Sequence, residues 1–305
     1  MTSAGATSSF ADTGRLVVRC PDRPGIVAVL SRLLADVGAN ITDSQQHSSP
    51  PDARAGAGGP AGGTFTLRLE FVLADLAARR PQLEGALELL ARQWQMTWRL
   101  TEAAHRPRIA VFVSRADHVL AELLYRVRAG DLRADIVAVV SNHPDLAPVA
   151  AGAGIPFHHV AVPTGGTPQD KAAAEARALE IVGDADLVVL ARYMQILSAN
   201  FCARFPERLI NIHHSFLPAF VGANPYQAAH DRGVKLIGAT AHYVTAELDA
   251  GPIIEQEVAR VDHRATVEDM RRVGRYVERQ VLAQAVTWHV EERVIADGDR
   301  TIVFA

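Results

Sequence analysis

Five short apolar runs in the second half of the chain, at residues 108–114, 136–141, 157–160, 187–190 and 209–212, constrain the fold more than any other feature. In several of them Val, Ile and Leu follow one another with little alternation. A strand buried on one face alternates apolar and polar residues, whereas a strand covered on both faces does not. Helical periods separate the runs, most plainly at 171–182, which is rich in Ala, Glu and Leu. Strand and helix in alternation predict an α/β domain around a mostly parallel sheet. Two later strands are expected at 239–245 and 252–261. Thr266 and Asp269 have the spacing of a capping box. They open a long helix whose buried face should hold Val267, Met270, Val273, Val277 and Val281. Asp297-Gly298 reads as a type I′ hairpin turn.

The first half follows a different rhythm, β-α-β-β-α-β. A strand at 15–20 and a turn at 21–25 precede a helical period through Ile26, Val27, Leu30, Leu33, Leu34 and Val37, which ends at Gly38. Extended patterns follow at 40–46 and 64–73. A second helix is expected at 81–95, with Leu83, Leu87, Leu90 and Trp94 on one face, and a last strand at 97–100. The stretch 50–63 between the two central strands is so rich in Gly and Pro that it reads as a floppy hairpin loop. Pro107 marks the boundary between the halves.

The chain has 305 residues, enough for two domains with a core each. Its net charge of −3 argues against a surface built to grip nucleic acid. No apolar stretch approaches the ~20 residues of a membrane helix. Two cysteines, Cys20 and Cys202, imply no disulfide framework and suit a reducing, cytoplasmic setting. Residues 1–13 carry neither a basic residue nor an apolar segment, so a frayed tail is expected and not a secretory signal.

The densest polar chemistry is Asn211-Ile-His213-His214-Ser215, just after a buried run. Residues alternate faces along a strand, so Asn211 and His213 project together. An amide to meet a developing oxyanion and an imidazole to handle a proton make a plausible pair. A histidine that merely bonds a neighbour fits these five residues as well. Asp249, in Glu247-Leu-Asp249-Ala-Gly251-Pro, adds a carboxylate in a loop between two strands; an aspartate there is also a good turn residue. The adjacent pairs His158-His159 and His213-His214, with His242 later, lack chelating spacing, and no Cys-x-x-Cys or His-Glu-x-x-His occurs. A metal is therefore not expected. Nor is there a Gly-x-Ser-x-Gly elbow or a Gly-x-Gly-x-x-Gly, which removes the grounds for a serine hydrolase or a dinucleotide site.

At these residues the sequence resembles the folate-dependent formyltransferases over about residues 107–295. Asn211-Ile-His213, Ser215-Phe-Leu-Pro218 and Asp249-Ala-Gly251 stand in that family's order. Residues 190–197, 213–220, 222–226 and 233–244 are similar to the deformylase branch, formyltetrahydrofolate deformylases, and the transformylases usually carry Pro where His214 stands. Cys20-Pro-Asp-Arg-Pro-Gly25 with its helix resembles an ACT domain. The resemblance implies a ferredoxin-like ACT regulatory domain at 14–102 and a Rossmann-like formyltransferase domain at 107–305. It departs from the family pattern in the long 50–63 loop, in Gln227-Ala-Ala-His230 and at Val119.

The resemblance further implies hydrolysis of 10-formyltetrahydrofolate to formate and tetrahydrofolate by Asn211, His213 and Asp249, feeding one-carbon and purine metabolism without cofactor or metal. It puts the pterin between Met194, Gln195, Ile196 and Leu197 on one side and Thr245, Glu247 and Leu248 on the other. Three rivals share parts of the pattern: transfer of the formyl group to an amine such as glycinamide ribonucleotide, formylation of charged initiator tRNA, and an amino-acid-binding regulator with an inactive second half. A homodimer or homotetramer is expected. Asp22, Arg23 and Gly25 at the first helix, closed by Asn40 and Ile41 of a neighbouring copy, are expected to bind a small amino acid, glycine or methionine first. The alternative is that the ACT half only holds the oligomer together.

Overall fold

The computed structural model describes residues 10–50, 63–163, 165–218 and 225–304. The chain divides into two compact units: residues 1–106 with 291–293 and 304, and residues 107–290 with 294–303. The floppy loop expected at 50–63 and the tail expected at 1–13 fall largely outside the described residues.

The first unit runs β1 (Thr13–Pro21), α1 (Ile26–Asp36), β2 (Asn40–Ser49), β3 (Thr64–Val72), α2 (Leu76–Trp94) and β4 (Thr97–Glu102). Its four strands form an antiparallel sheet in the order β2-β3-β1-β4. Leu16 and Val18 of β1 stand opposite Leu69 and Leu67 of β3. The apolar stripe Ile26, Leu30 and Leu34 of α1 closes over that face and is buried with it. Helix α2 begins five residues before the expected start at Pro81. Proline favours the first turn of a helix, but Leu76 is fully buried, and its burial draws the preceding residues into the helix with Pro81 inside it.

The second unit holds β5 (Arg108–Val113), α3 (His118–Ala129), β6 (Asp135–Ser141), α4 (Ala147–Gly152), β7 (Phe157–His159), α5 (Pro168–Val182), β8 (Leu187–Leu190), α6 (Ala199–Cys202), β9 (Leu209–His213), α7 (Pro225–Arg232), β10 (Leu236–Tyr243), β11 (Ile253–Arg260), α8 (Val267–Val290), β12 (Val294–Asp297) and β13 (Arg300–Val303). Seven strands form one sheet in the order β11-β10-β9-β8-β5-β6-β7. From β9 to β7 all neighbours are parallel. Strands β10 and β11 are antiparallel additions at the β9 edge. The runs of β5 and β8 are buried on both faces: in β5, Ile109, Val111 and Val113 join one core cluster while Ala110 and Phe112 join another. Strand β7, at the sheet edge, is only partly buried and does not meet that expectation. The chain reverses its direction of travel across the sheet between β5 and β8, and ligands in open α/β sheets bind beyond the carboxyl ends of strands at such a point.

Several boundaries move. Helix α5 starts at Pro168, three residues before the expected Lys171, because Thr167 and Asp170 form a reciprocal capping box. The expected box of Thr266 and Asp269 is formed, with both backbone N–H groups satisfied. On α8, Met270, Val277 and Val281 are buried as expected, whereas Val267 and Val273 are half-buried in a small cluster with Tyr226. The final hairpin pairs Asp297 with Arg300, so Gly298 and Asp299 form its tip. Gly298 has a φ of +63° and Asp299 does not share the left-handed region, so the turn is of the II′ kind and not the expected I′.

Helix α8 packs Leu282, Ala285 and Val286 against the sheet with no exposed surface. Truncation of Leu282 to alanine leaves a cavity in that layer and should destabilise the fold by about 2–5 kcal/mol. Urea unfolding of the variant beside the parent measures the change.

Candidate active site

Strand β9 delivers two of the side chains. Asn211 and His213 leave it on one side, while Ile212 packs into the core. Strand β10 runs antiparallel beside β9 and sets His242 opposite Asn211. His242 donates from Nδ1 to the Tyr243 carbonyl oxygen at 2.9 Å. Its Nε2 is therefore free to accept the Asn211 amide N–H at 3.2 Å.

Asp249 enters from the loop joining β10 to β11. Its φ of +55° is left-handed, a conformation that aspartate tolerates better than most residues. The loop folds back tightly: a Cβ on Gly251 would collide with the Tyr243 carbonyl oxygen, so this position needs glycine. The carboxylate reaches His213 Nδ1 at 3.3 Å with Oδ2 and His242 Nε2 at 3.7 Å with Oδ1. Hydrogen bonding to His213 outweighs burial and holds its carboxyl well below the usual carboxylate range. The other imidazole nitrogen of His213, Nε2, is buried and has no hydrogen-bond partner among the described residues. It belongs to a residue on the wall of a cavity of about 390 Å³.

That cavity gathers the residues the sequence singled out. Met194, Gln195, Ile196 and Leu197 line it together with Thr245, Glu247 and Leu248, and Asn211, His213, His242 and Asp249 share its wall. Met194, Ile196 and Leu248 are exposed apolar side chains gathered on one cavity, and contiguous exposed apolar surface marks a binding groove. The Met194 N–H donates to Ser114 Oγ at 3.0 Å, and the Ser114 hydroxyl donates to Asn142 Oδ1 at 2.6 Å. These two bonds tie the 194–197 loop to the carboxyl end of β5. Among the described residues no three His, Cys, Asp or Glu side chains are grouped to hold a metal ion.

Other polar residues here carried no sequence signal as a group. Glu278, in the middle of α8, is buried; His118 Nε2 lies 2.7 Å from its Oε2 and the Tyr226 hydroxyl donates to its Oε1 at 2.7 Å. Burial raises its pKa, but the His118 bond and the Arg192 charge outweigh it, so the carboxyl titrates below its ordinary range. Gly274 makes room for Tyr226, since a Cβ there would strike the phenol oxygen. His242 could have been suspected only with the β9–β10 register in hand.

The residues expected to bind an amino acid are not brought together within one chain. Pro21 pairs with Thr64 at one end of β3, and Asn40 pairs with Val72 at the other. Gly25, φ +96°, precedes α1, and its open side faces the Trp94 indole, over which the Arg23 guanidinium stacks at 4.2 Å. Ile41 is half-buried against the sheet core.

A family model described as formyl transferase matches residues 107–286, and one described as ACT domain matches residues 14–70. A formyltetrahydrofolate deformylase of Mycobacterium tuberculosis is 51% identical over 96% of this chain and 91% of its own length. One from Bacillus subtilis is 48% identical over 96% of this chain and 94% of its own. The chain belongs to the formyltetrahydrofolate deformylase family. A crystal structure of a deformylase from Pseudomonas syringae superposes with a TM-score of 0.87 at 46% identity, covering 96% of this chain and 94% of that one. A glycinamide ribonucleotide transformylase from Symbiobacterium toebii matches less of the chain, 66%, at 34% identity and a TM-score of 0.60. The deformylase match thus runs through both units.

His214, next to the triad of side chains, is buried, and burial with the nearby Arg192 charge lowers its pKa from 6.5 to about 4. A histidine whose folded pKa lies below its unfolded one stabilises the fold fully above the unfolded pKa and loses that contribution as pH falls toward the folded pKa. The window here is pH 6.5 down to about 4. Urea unfolding across it should show the parent losing about 3 kcal/mol more than His214→Asn.

Proposed function

We propose that this chain hydrolyses 10-formyltetrahydrofolate to formate and tetrahydrofolate. The observation that carries the reading is the unpartnered His213 Nε2, backed by an ionised Asp249 on a cavity wall. The folate ring system lies in the cavity between residues 194–197 and 245–248, its apolar faces against Met194, Ile196 and Leu248. The formyl group points at Asn211 and His213. Water adds to the formyl carbon, and a proton passes toward Asp249. Charge grows on the formyl oxygen, where the second N–H of the Asn211 amide and Nε2 of protonated His213 donate to it. His242 holds the first N–H of that amide and so aims the second. The C–N bond then breaks, the proton taken up at Asp249 passes to the leaving nitrogen, and formic acid ionises, so one formate and one proton are released per turnover.

The activated formyl group and these side chains account for the chemistry with no metal or cofactor, and the enzyme is read as cytoplasmic. No helix among the described residues is long and apolar enough to cross a membrane. The ACT unit is read as the contact of a dimer or tetramer and as the seat of an amino-acid effector between Asp22, Arg23 and Gly25 of one copy and Asn40 and Ile41 of the next. Calorimetry of the full chain with glycine and methionine tests that part; no heat and no change in rate would leave the unit with the assembly role alone.

The decisive assay supplies 10-formyltetrahydrofolate and water with no amine acceptor. Formate and tetrahydrofolate should appear in equal amounts; a requirement for an amine would return the enzyme to the transferases. Asp249→Asn and His213→Ala should each lower turnover by at least about 10²-fold, with the double variant well short of the product of the two. Dialysis against a strong chelator should leave the rate unchanged.

A further inference from the structure

A second chamber of about 420 Å³ adjoins the first, and Arg192 and His214 belong to the walls of both. We propose that this second chamber is a small-carboxylate site, organised by Arg192, that receives the formate released by the reaction; the identity of the anion rests on the hydrolytic reading above.

Arg192 is the reason. Its backbone sits at φ +65°, a region where glycine would be unstrained, yet an arginine stands there. Its Nε and Nη1 are buried and have no hydrogen-bond partner among the described residues. The nearest carboxylate is Glu278, with Oε2 3.5 Å from Nε, and that oxygen already faces His118 at 2.7 Å. Buried guanidinium donors without an acceptor are unfavourable, and their planar fork matches a carboxylate edge to edge.

The surrounding charge suits an anion. Arg192, Arg271 and Arg275 line the chamber against the carboxylates of Asp117 and Glu278. Glu278 is engaged by His118 and Tyr226. Among the described residues Arg271 and Arg275 make only long pairs with Glu268, at 3.7 and 3.8 Å, and both are exposed enough to turn inward. Beyond the shared Arg192 and His214, the first chamber adds the carboxylates of Glu247 and Asp249, which repel an anion, and the apolar side chains of Met194, Ile196 and Leu248. A product that becomes charged as it forms is therefore drawn across the shared wall, while the folate keeps the first chamber filled.

Equilibrium dialysis with radiolabelled formate, with and without saturating tetrahydrofolate, tests the site without any turnover. The parent should bind formate saturably in both conditions. Arg192→Gly, which suits the backbone and removes the fork, should bind it at least 10-fold more weakly, and Arg192→Lys should fall between. Thermal melting confirms that the variants fold; if either does not, the parent alone decides. Absence of saturable binding, displacement of formate by tetrahydrofolate, or unchanged affinity in a folded Arg192→Gly overturns the proposal. Formate binding in a chain that fails to release formate from 10-formyltetrahydrofolate would leave the site standing and remove the hydrolytic reading. Turnover without formate binding would do the reverse.

Discussion

The reversal of strand direction at β9 governs the site. Up to β9 the sheet is parallel, and β10 then runs back along it. Residues directly opposite on antiparallel strands lie close enough for their side chains to meet. His242 consequently faces Asn211 across the ladder and can hold its amide. Strand β10 ends beside the start of β9, and the β10–β11 loop folds back from there to bring Asp249 to His213 and His242. That loop can be short because β11 pairs antiparallel with β10; a parallel pair would need a crossover connection.

Two carboxylates in this region are settled in the same way. Asp249 sits between His213 and His242, and Glu278 between His118, Tyr226 and Arg192. A buried carboxylate without such partners would bind a proton or unfold its surroundings. Both remain ionised because imidazole, phenol and guanidinium donors compensate for lost water. Backbone strain gathers here as well, with Asp249 and Arg192 both left-handed. Their side chains meet partners or cavities that ordinary backbone would miss, and the surrounding fold holds the strain in place.

Much of the architecture was legible because burial leaves a direct imprint on a chain. Strands β5 and β8 had to be apolar on both faces, and the α1 stripe had to recur at helical spacing. The misplacements share one cause, which is that local rules compete with tertiary packing. Pro81 reads as a helix start until Leu76 is buried upstream of it. Asp297-Gly298 reads as the turn until the Asp297–Arg300 pairing shifts the tip by one residue. Asn40 and Asp22 lie close in the chain yet at opposite ends of β3, because an 11-residue helix of about 16 Å separates them.

By itself the sequence determined the two-part organisation, the parallel sheet, and the membership of Asn211, His213 and Asp249 in one constellation. The first two follow from apolar periodicity, and the third from the resemblance to the folate-dependent formyltransferases, since Asp249 by itself reads equally as a turn residue. Only the tertiary structure decided that His242 joins them, that Glu278 is buried and satisfied, and that Arg192 holds buried Nε and Nη1 donors without a hydrogen-bond acceptor between two chambers. Each of these depends on which residues strand register and helix packing bring face to face across 31 to 160 positions of chain. A polar side chain in a strand or mid-helix looks the same in sequence whether it meets water, a partner or an empty cavity.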